Sequence, residues 1–230
     1  MRSNTRTKST AAGELVRTVI IWGSLWGIFE STAGYLLHLL PLSLGWLVWY
    51  PAACFFMATT YERARSSGAI LYVALLSACI KLINLLLPVR IDMVINPAVS
   101  IVFEAFVMYC MVKVIGRLPE EKRKMPSVKA LAVISMNTGW RILYILYILL
   151  LVPEWMREIS VISSAQQLIR FLLINNLVTS AVIYPAYLFS GRMINFIKPV
   201  FRLSDTGGMA TRKLTVPCLL GLNILLQLLL

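Results

Sequence analysis

Long apolar runs, separated by short polar or proline-containing stretches, set the pattern of this chain. Runs at 17–40, 44–61, 69–87, 93–115, 129–152 and 165–190 are each near the length that crosses a bilayer as a helix. They are continuously apolar, with no alternation, which argues against the strands of a membrane barrel. Pro41, Pro88 and Pro153 stop the first, third and fifth runs. A last run, LTVPCLLGLNILLQLLL (214–230), is marginal in length and carries Pro217 near its start, so it is either a seventh spanning helix or an interfacial one. The pattern predicts an all-α, polytopic membrane bundle of six transmembrane helices plus that C-terminal hydrophobic helix.

Charge placement refines this picture. Lysine and arginine gather in alternate connections: Arg2, Arg6, Lys8 and Arg17; Arg63 and Arg65; Lys113, Arg117, Lys122, Arg123, Lys124 and Lys129; and Arg192, Lys198, Arg202, Arg212 and Lys213. The opposite loops hold only Arg90 and Arg157. By the positive-inside bias the N-terminus and the basic loops are cytoplasmic, in a cytoplasmic (inner) membrane. The expected organisation is a cytoplasmic basic arm at 1–16, one bundle over 17–190, a cytoplasmic basic segment at 191–213 and the hydrophobic helix at 214–230. The N-terminal stretch reads as leading into a retained first helix, because the apolar run exceeds a signal-peptide core and no small-residue cleavage site follows.

Composition agrees: 59% of the 230 residues are hydrophobic and 14% charged. The net charge of +12 does not indicate nucleic acid, since the charges follow the loops. Cys54, Cys79, Cys110 and Cys218 lie in apolar runs with no ligand-like spacing and read as buried packing thiols. Neither a metal site nor a cofactor is expected, and the single histidine, His38, excludes two-histidine haem ligation.

Five charged residues nevertheless fall well within the runs: Glu30, Lys81, Glu104, Arg141 and Arg170. Each costs a few kcal/mol at the bilayer centre, so each should face protein or water. At about 1.5 Å per residue, Glu30, Glu104 and Arg141 lie near mid-depth and Lys81 somewhat outward. His38, Arg90 and Asp92 stand at the outer rim. Two readings stay open. Glu30–Lys81 and Glu104–Arg141 are ion pairs that fix helix order, or the groups line a hydrated solute pocket. Arg170 reads as a snorkelling end-of-helix arginine.

The neighbours of these charges carry further signals. Gly23, Gly27, Ser31 and Gly34 form a small-residue face for docking on a neighbour, within the chain or in a partner subunit. Asn96, Ser100 and Glu104 share one stripe of the fourth run, where Pro97 either frees a backbone carbonyl or sits harmlessly in the first turn. Asn137, Thr138, Trp140 and Arg141 make a polar break in the fifth run, and Asn175 and Asn176 a weaker one in the sixth. Trp22 and Trp26 read as core packing in preference to stacking on a solute, and Trp46, Trp49, Tyr50 and Trp155 as interface aromatics.

The order of WGSLWGIFESTAGYLLH, then SGAILYVALLSACIKLI, then INPAVSIVFEA resembles the substrate-binding (S) components of energy-coupling factor (ECF) transporters over residues 20–116. It is most similar to members with a W-G-x-x-E-x-x-x-G-x-x-x-H opening, carried here by Trp26, Gly27, Glu30, Gly34 and His38, with Ala78, Lys81, Pro97 and Glu104 matching later. The resemblance implies six helices, an outward-facing pocket for a vitamin, metal ion or small metabolite, and docking on a transmembrane coupling subunit driven by separate ATPase subunits. The second half, 128–230, departs from it, as does the terminal apolar run.

The expectation is therefore a non-enzymatic solute-binding component. Glu30, Lys81 and Glu104 contact a polar solute, Arg141 and Asn96 support it, and His38 stands at the rim. The partners expected are the solute, membrane lipid and the coupling and ATPase subunits, with no nucleic acid. The chain has no GxxxxGK[ST] phosphate loop of its own. The alternatives are a structural or assembly membrane protein with buried ion pairs, and an intramembrane enzyme on a lipid-linked substrate. No GxSxG or HExxH motif supports the enzyme.

Overall fold

The computed structural model describes residues 3–39, 45–188 and 209–229, and within the first and last of these the side chains of 12–33 and 217–227. The described residues are helical, with no strand among them. The long helices are α1 (Ser3–Leu39), α2 (Gly45–Ala64), α3 (Gly68–Leu82, continued by a 3₁₀ turn over Ile83–Leu86), α4 (Asp92–Gly116), α5 (Pro126–Leu151), α6 (Ala165–Leu188) and α7 (Met209–Leu229). Short helices Glu120–Lys124 and Glu154–Arg157 lie in the connections on either side of α5.

Five of these are long and apolar enough to cross a membrane, over Ala12–Ala33, Gly68–Leu86, Asp92–Gly116, Pro126–Leu151 and Ala165–Leu188. This is the make-up of a multi-pass membrane protein. Helix α2 is 20 residues long but less apolar, because Trp46, Trp49, Tyr50 and Pro51 open it and Thr59, Thr60, Glu62 and Arg63 close it. The outward faces match a lipid surround: Phe106, Leu131, Leu146, Leu149, Leu173 and Leu177 are all exposed.

The helix order is a closed ring. Helix α1 packs on α3, α3 on α4, α4 on α5, α5 on α6, α6 on α2, and α2 returns to α1. Small residues allow the closest approaches. Ala74, Ala78, Ala98 and Ala105 are buried on α3 and α4, and a Cβ added at Gly23 would stand 2.7 Å from Leu76. Two apolar clusters fill the ring. One is built on Trp22, Trp26, Phe56, Met57 and Val73, the other on Tyr50, Val133, Trp140, Phe171 and Ile183. Trp22 and Trp26 are core residues as expected; Trp26 is fully buried and stacks on Phe56 with centroids 5.8 Å apart.

Several expectations are revised. Helix α1 begins at Ser3, well before residue 17, since Ala11, Ala12, Glu14 and Leu15 are good helix formers that carry the helix through the single glycine among them, Gly13. Cys54 is buried, but Cys79 and Cys218 are exposed; on a surface that faces hydrocarbon an apolar thiol needs no burial. Helix α4 runs unbroken through Pro97. Of the expected basic segment 191–213, residues 191–208 lie outside the described residues.

The small-residue face of α1 has its neighbour within the chain. Helix α7 lies along it, with the Asn223 amide donating to the Ser24 carbonyl at 2.9 Å and the Gln227 amide to the Gly27 carbonyl at 3.3 Å. Both amides are fully buried, and a Cβ at Gly27 would collide with the Asn223 carboxamide. In an apolar surround, such amide-to-backbone bonds are an effective way to fix one helix on another.

Candidate functional site

Inside the ring, toward the end where α3 meets α4, lies a cavity of about 460 Å³. It falls within the usual range for small-molecule sites. The basic connection carrying Arg117, Lys122, Arg123 and Lys124 is at the opposite end of α4. A second recess of about 250 Å³, between α2, α4, α5 and α6, is mostly apolar, with Glu62 the one charged residue among its lining and Thr59, Tyr61 and Tyr187 adding hydroxyl-bearing side chains.

Five expected site residues line the larger cavity: Glu30 from α1, Lys81 from α3, Asn96 and Glu104 from α4, and Arg141 from α5. Four helices thus bring charge to one space. The side chain of the sixth expected residue, His38, lies outside the described residues. Arg170 is exposed, as an end-of-helix arginine should be.

The charged groups share the cavity without closing on one another. Exposed or half-exposed ion pairs form at Arg65–Glu62, Arg90–Asp92 and Lys124–Glu120. Among the described residues no ion pair joins Glu30 to Lys81 or Glu104 to Arg141. These groups interact through space only, Glu30 with Lys81, and Glu104 with both Glu30 and Arg141. The expected alternative of two contact pairs is therefore not what the bundle contains. Glu104 is 6% exposed, and its carboxyl accepts no hydrogen bond from a described residue. Glu30 receives one long bond, from Trp26 Nε1 at 3.3 Å.

Arg141 is held differently. Its Nε donates to Asn137 Oδ1 at 3.0 Å, Nη1 to the Phe171 carbonyl at 2.9 Å, and Nη2 to Thr179 Oγ1 at 3.4 Å. The guanidinium lies over the rings of Trp140 and Phe171, 4.7 and 4.6 Å from their centroids. The Phe171 carbonyl is free for this because α6 contains a wide π turn at Arg170–Ile174: the Asn175 amide reaches back to the Arg170 carbonyl, one residue beyond its usual partner.

Asn137 is the hub of this network. Its Nδ2 contacts the Asn176 carbonyl, Thr179 Oγ1 and Ser180 Oγ at 2.6–2.9 Å. Its Oδ1 faces Trp140 Nε1 and Arg141 Nε, both donors only, which fixes the amide orientation. Asn176 in turn donates to Thr138 Oγ1 at 2.8 Å. The two polar breaks expected in the fifth and sixth runs are thus one interhelical network that positions Arg141.

The remaining lining is aromatic. Trp46, Trp49 and Tyr50 come from the first turns of α2, Trp140 and Tyr144 from α5, and Phe171 from α6. Sequence reasoning assigned the first three to an interface belt, although their spacing puts them on one face of the helix. At the mouth Asp92 lines the cavity and holds Arg90 through two bonds, at 2.8 and 3.1 Å. Asn96 Oδ1 accepts from the Tyr147 hydroxyl at 3.2 Å, which ties α4 to α5 beside the cavity.

Such a site has the parts to recognise a flat polar molecule: aromatic faces, carboxyl acceptors and an ammonium donor. Neither family models, curated proteins nor solved structures yield a match to this chain.

Proposed function

We propose that this chain is the solute-binding membrane component of an uptake transporter built like the ECF systems, accepting a small polar metabolite or vitamin in a pocket open to the non-cytoplasmic side of the inner membrane. The observation that carries the reading is the convergence of Glu30, Lys81, Glu104 and Arg141, from four helices, on one cavity in which none of them forms an ion pair. Buried charges kept only as helix glue would be expected to close on each other, because separated charges in a low dielectric carry a desolvation cost without contact attraction. A bound solute supplies the missing partners.

Two features bear on how the component would work. The mouth lies away from the basic loops, so with those loops cytoplasmic by the positive-inside bias the pocket opens outward. The small-residue face of α1 is already met within the chain, at Gly23 by α3 and at Gly27 by α7, so a coupling subunit would dock on another face or displace α7. Among the described residues no three metal-type ligands converge, and the mixed charge favours an organic solute over a bare ion.

Native mass spectrometry of the purified chain, released gently from detergent, tests the proposal. The expected spectrum contains one small molecule bound in a one-to-one ratio, lost on activation. Protein that emerges bare, and gains no mass after incubation with a metabolite extract of its own host, would overturn it.

A further inference from the structure

Building on the pocket reading above, the arrangement of charge along the cavity narrows the class of solute. Glu104 lies twelve residues into α4 from Asp92, about 18 Å along the axis, whereas Lys81 lies five residues before the end of the 3₁₀ turn that continues α3, roughly 8 Å. The two helices meet at that end, so Lys81 stands about 10 Å nearer the mouth than Glu104. The deep carboxyl is nine-tenths buried and accepts no bond, and Glu30 between them accepts one weak bond. Three donors of Arg141 are committed to Asn137, Phe171 and Thr179, so Arg141 balances charge more than it offers a fresh contact.

By formal charge the four inner groups, two acidic and two basic, balance, and the Arg90–Asp92 pair at the mouth adds nothing net. What they leave open is a direction: acceptors deep, a donor outward, aromatic faces between. We infer that the solute is a flat amphoteric molecule, entering with a cationic N–H group toward Glu104 and Glu30 and leaving an anionic group against Lys81. Its ring lies against the Trp46 and Trp49 side, since the Trp140 ring is already taken by Arg141, Tyr50 and Phe171.

Four simple probes separate this class from the others: 4-amidinobenzoate carries both groups, benzamidine only the cation, benzoate only the anion, and benzamide neither. Quenching of tryptophan fluorescence in the purified full chain, after any co-purified molecule is dialysed away, reports binding of each. The expected order places 4-amidinobenzoate about tenfold or more ahead of the other three. Lys81→Met brings it to the benzamidine level and Glu104→Gln to the benzoate level. Equal binding of all four, a lead for benzoate or benzamide, or no binding by any of them overturns the inference. The wild-type order decides the matter even where a variant fails to fold. A co-purified molecule of a single charge sign would refute the amphoteric class while leaving the pocket intact; an empty spectrum would remove the pocket reading as well.

Discussion

Arg141→Lys and Arg141→Met are both expected to lower the stability of the purified protein by about 2–4 kcal/mol, read as a fall in the unfolding midpoint. Lysine keeps the charge but is a compact head with no planar fork. It cannot bond Asn137 Oδ1, the Phe171 carbonyl and Thr179 Oγ1 together while lying between two rings. Methionine fills the space but leaves the Phe171 carbonyl short of a donor beside a turn that has already given its usual N–H to Arg170. It also leaves Glu104 without its balancing charge. A lysine variant that unfolds like the parent would show that only the charge, and not the fork, matters at this position.

The second large effect concerns α7. Gly27→Leu should destabilise the protein by about 2–4 kcal/mol, combining the cost of overpacking with the lost bonds of Asn223 and Gln227. The diagnostic is a double-mutant cycle with Asn223→Ala. If Gly27→Leu lifts α7 from α1, the amide has already lost the Ser24 carbonyl, and Asn223→Ala then costs nothing further. Fully additive losses would mean that the seam tolerates leucine with α7 in place.

Much of the site was legible in the chain because hydrocarbon makes charge conspicuous. Glu30, Lys81, Glu104 and Arg141 stand out in apolar runs, and depth along each run already put Glu30, Glu104 and Arg141 near the middle with Lys81 outward of them. Their relation was not legible. Whether Glu104 touches Arg141 depends on helix rotation and on what else can bond a guanidinium, and here Asn137, Thr179 and a carbonyl freed by a π turn take that role. The aromatic wall was hidden for another reason. Trp46, Trp49 and Tyr50 near a helix start look the same whether they anchor a membrane interface or face a cavity.

The C-terminal helix carries a polar signal of its own. Asn223 and Gln227 are four residues apart in an otherwise apolar run, so they share a face and need a polar partner. The glycine and serine face of α1 exposes the carbonyls they bond. Both halves of that match are in the sequence; what it lacks is any mark that joins them across nearly 200 residues.

Everything proposed for function depends on the cavity being wet and reachable from the side where α3 meets α4. A thiol placed on its wall reads this out directly. In a chain whose four cysteines are replaced by alanine, Ser100→Cys puts a thiol on the cavity lining, and Phe106→Cys puts one on the exposed outer face of the same helix. Only a thiolate in water reacts with a charged methanethiosulfonate reagent, so the cavity position should be modified roughly tenfold faster or more when the reagent is added outside intact cells. Equal and slow modification at both positions would contradict the account, for it would mean that the charged residues surround a space that water and solute do not enter.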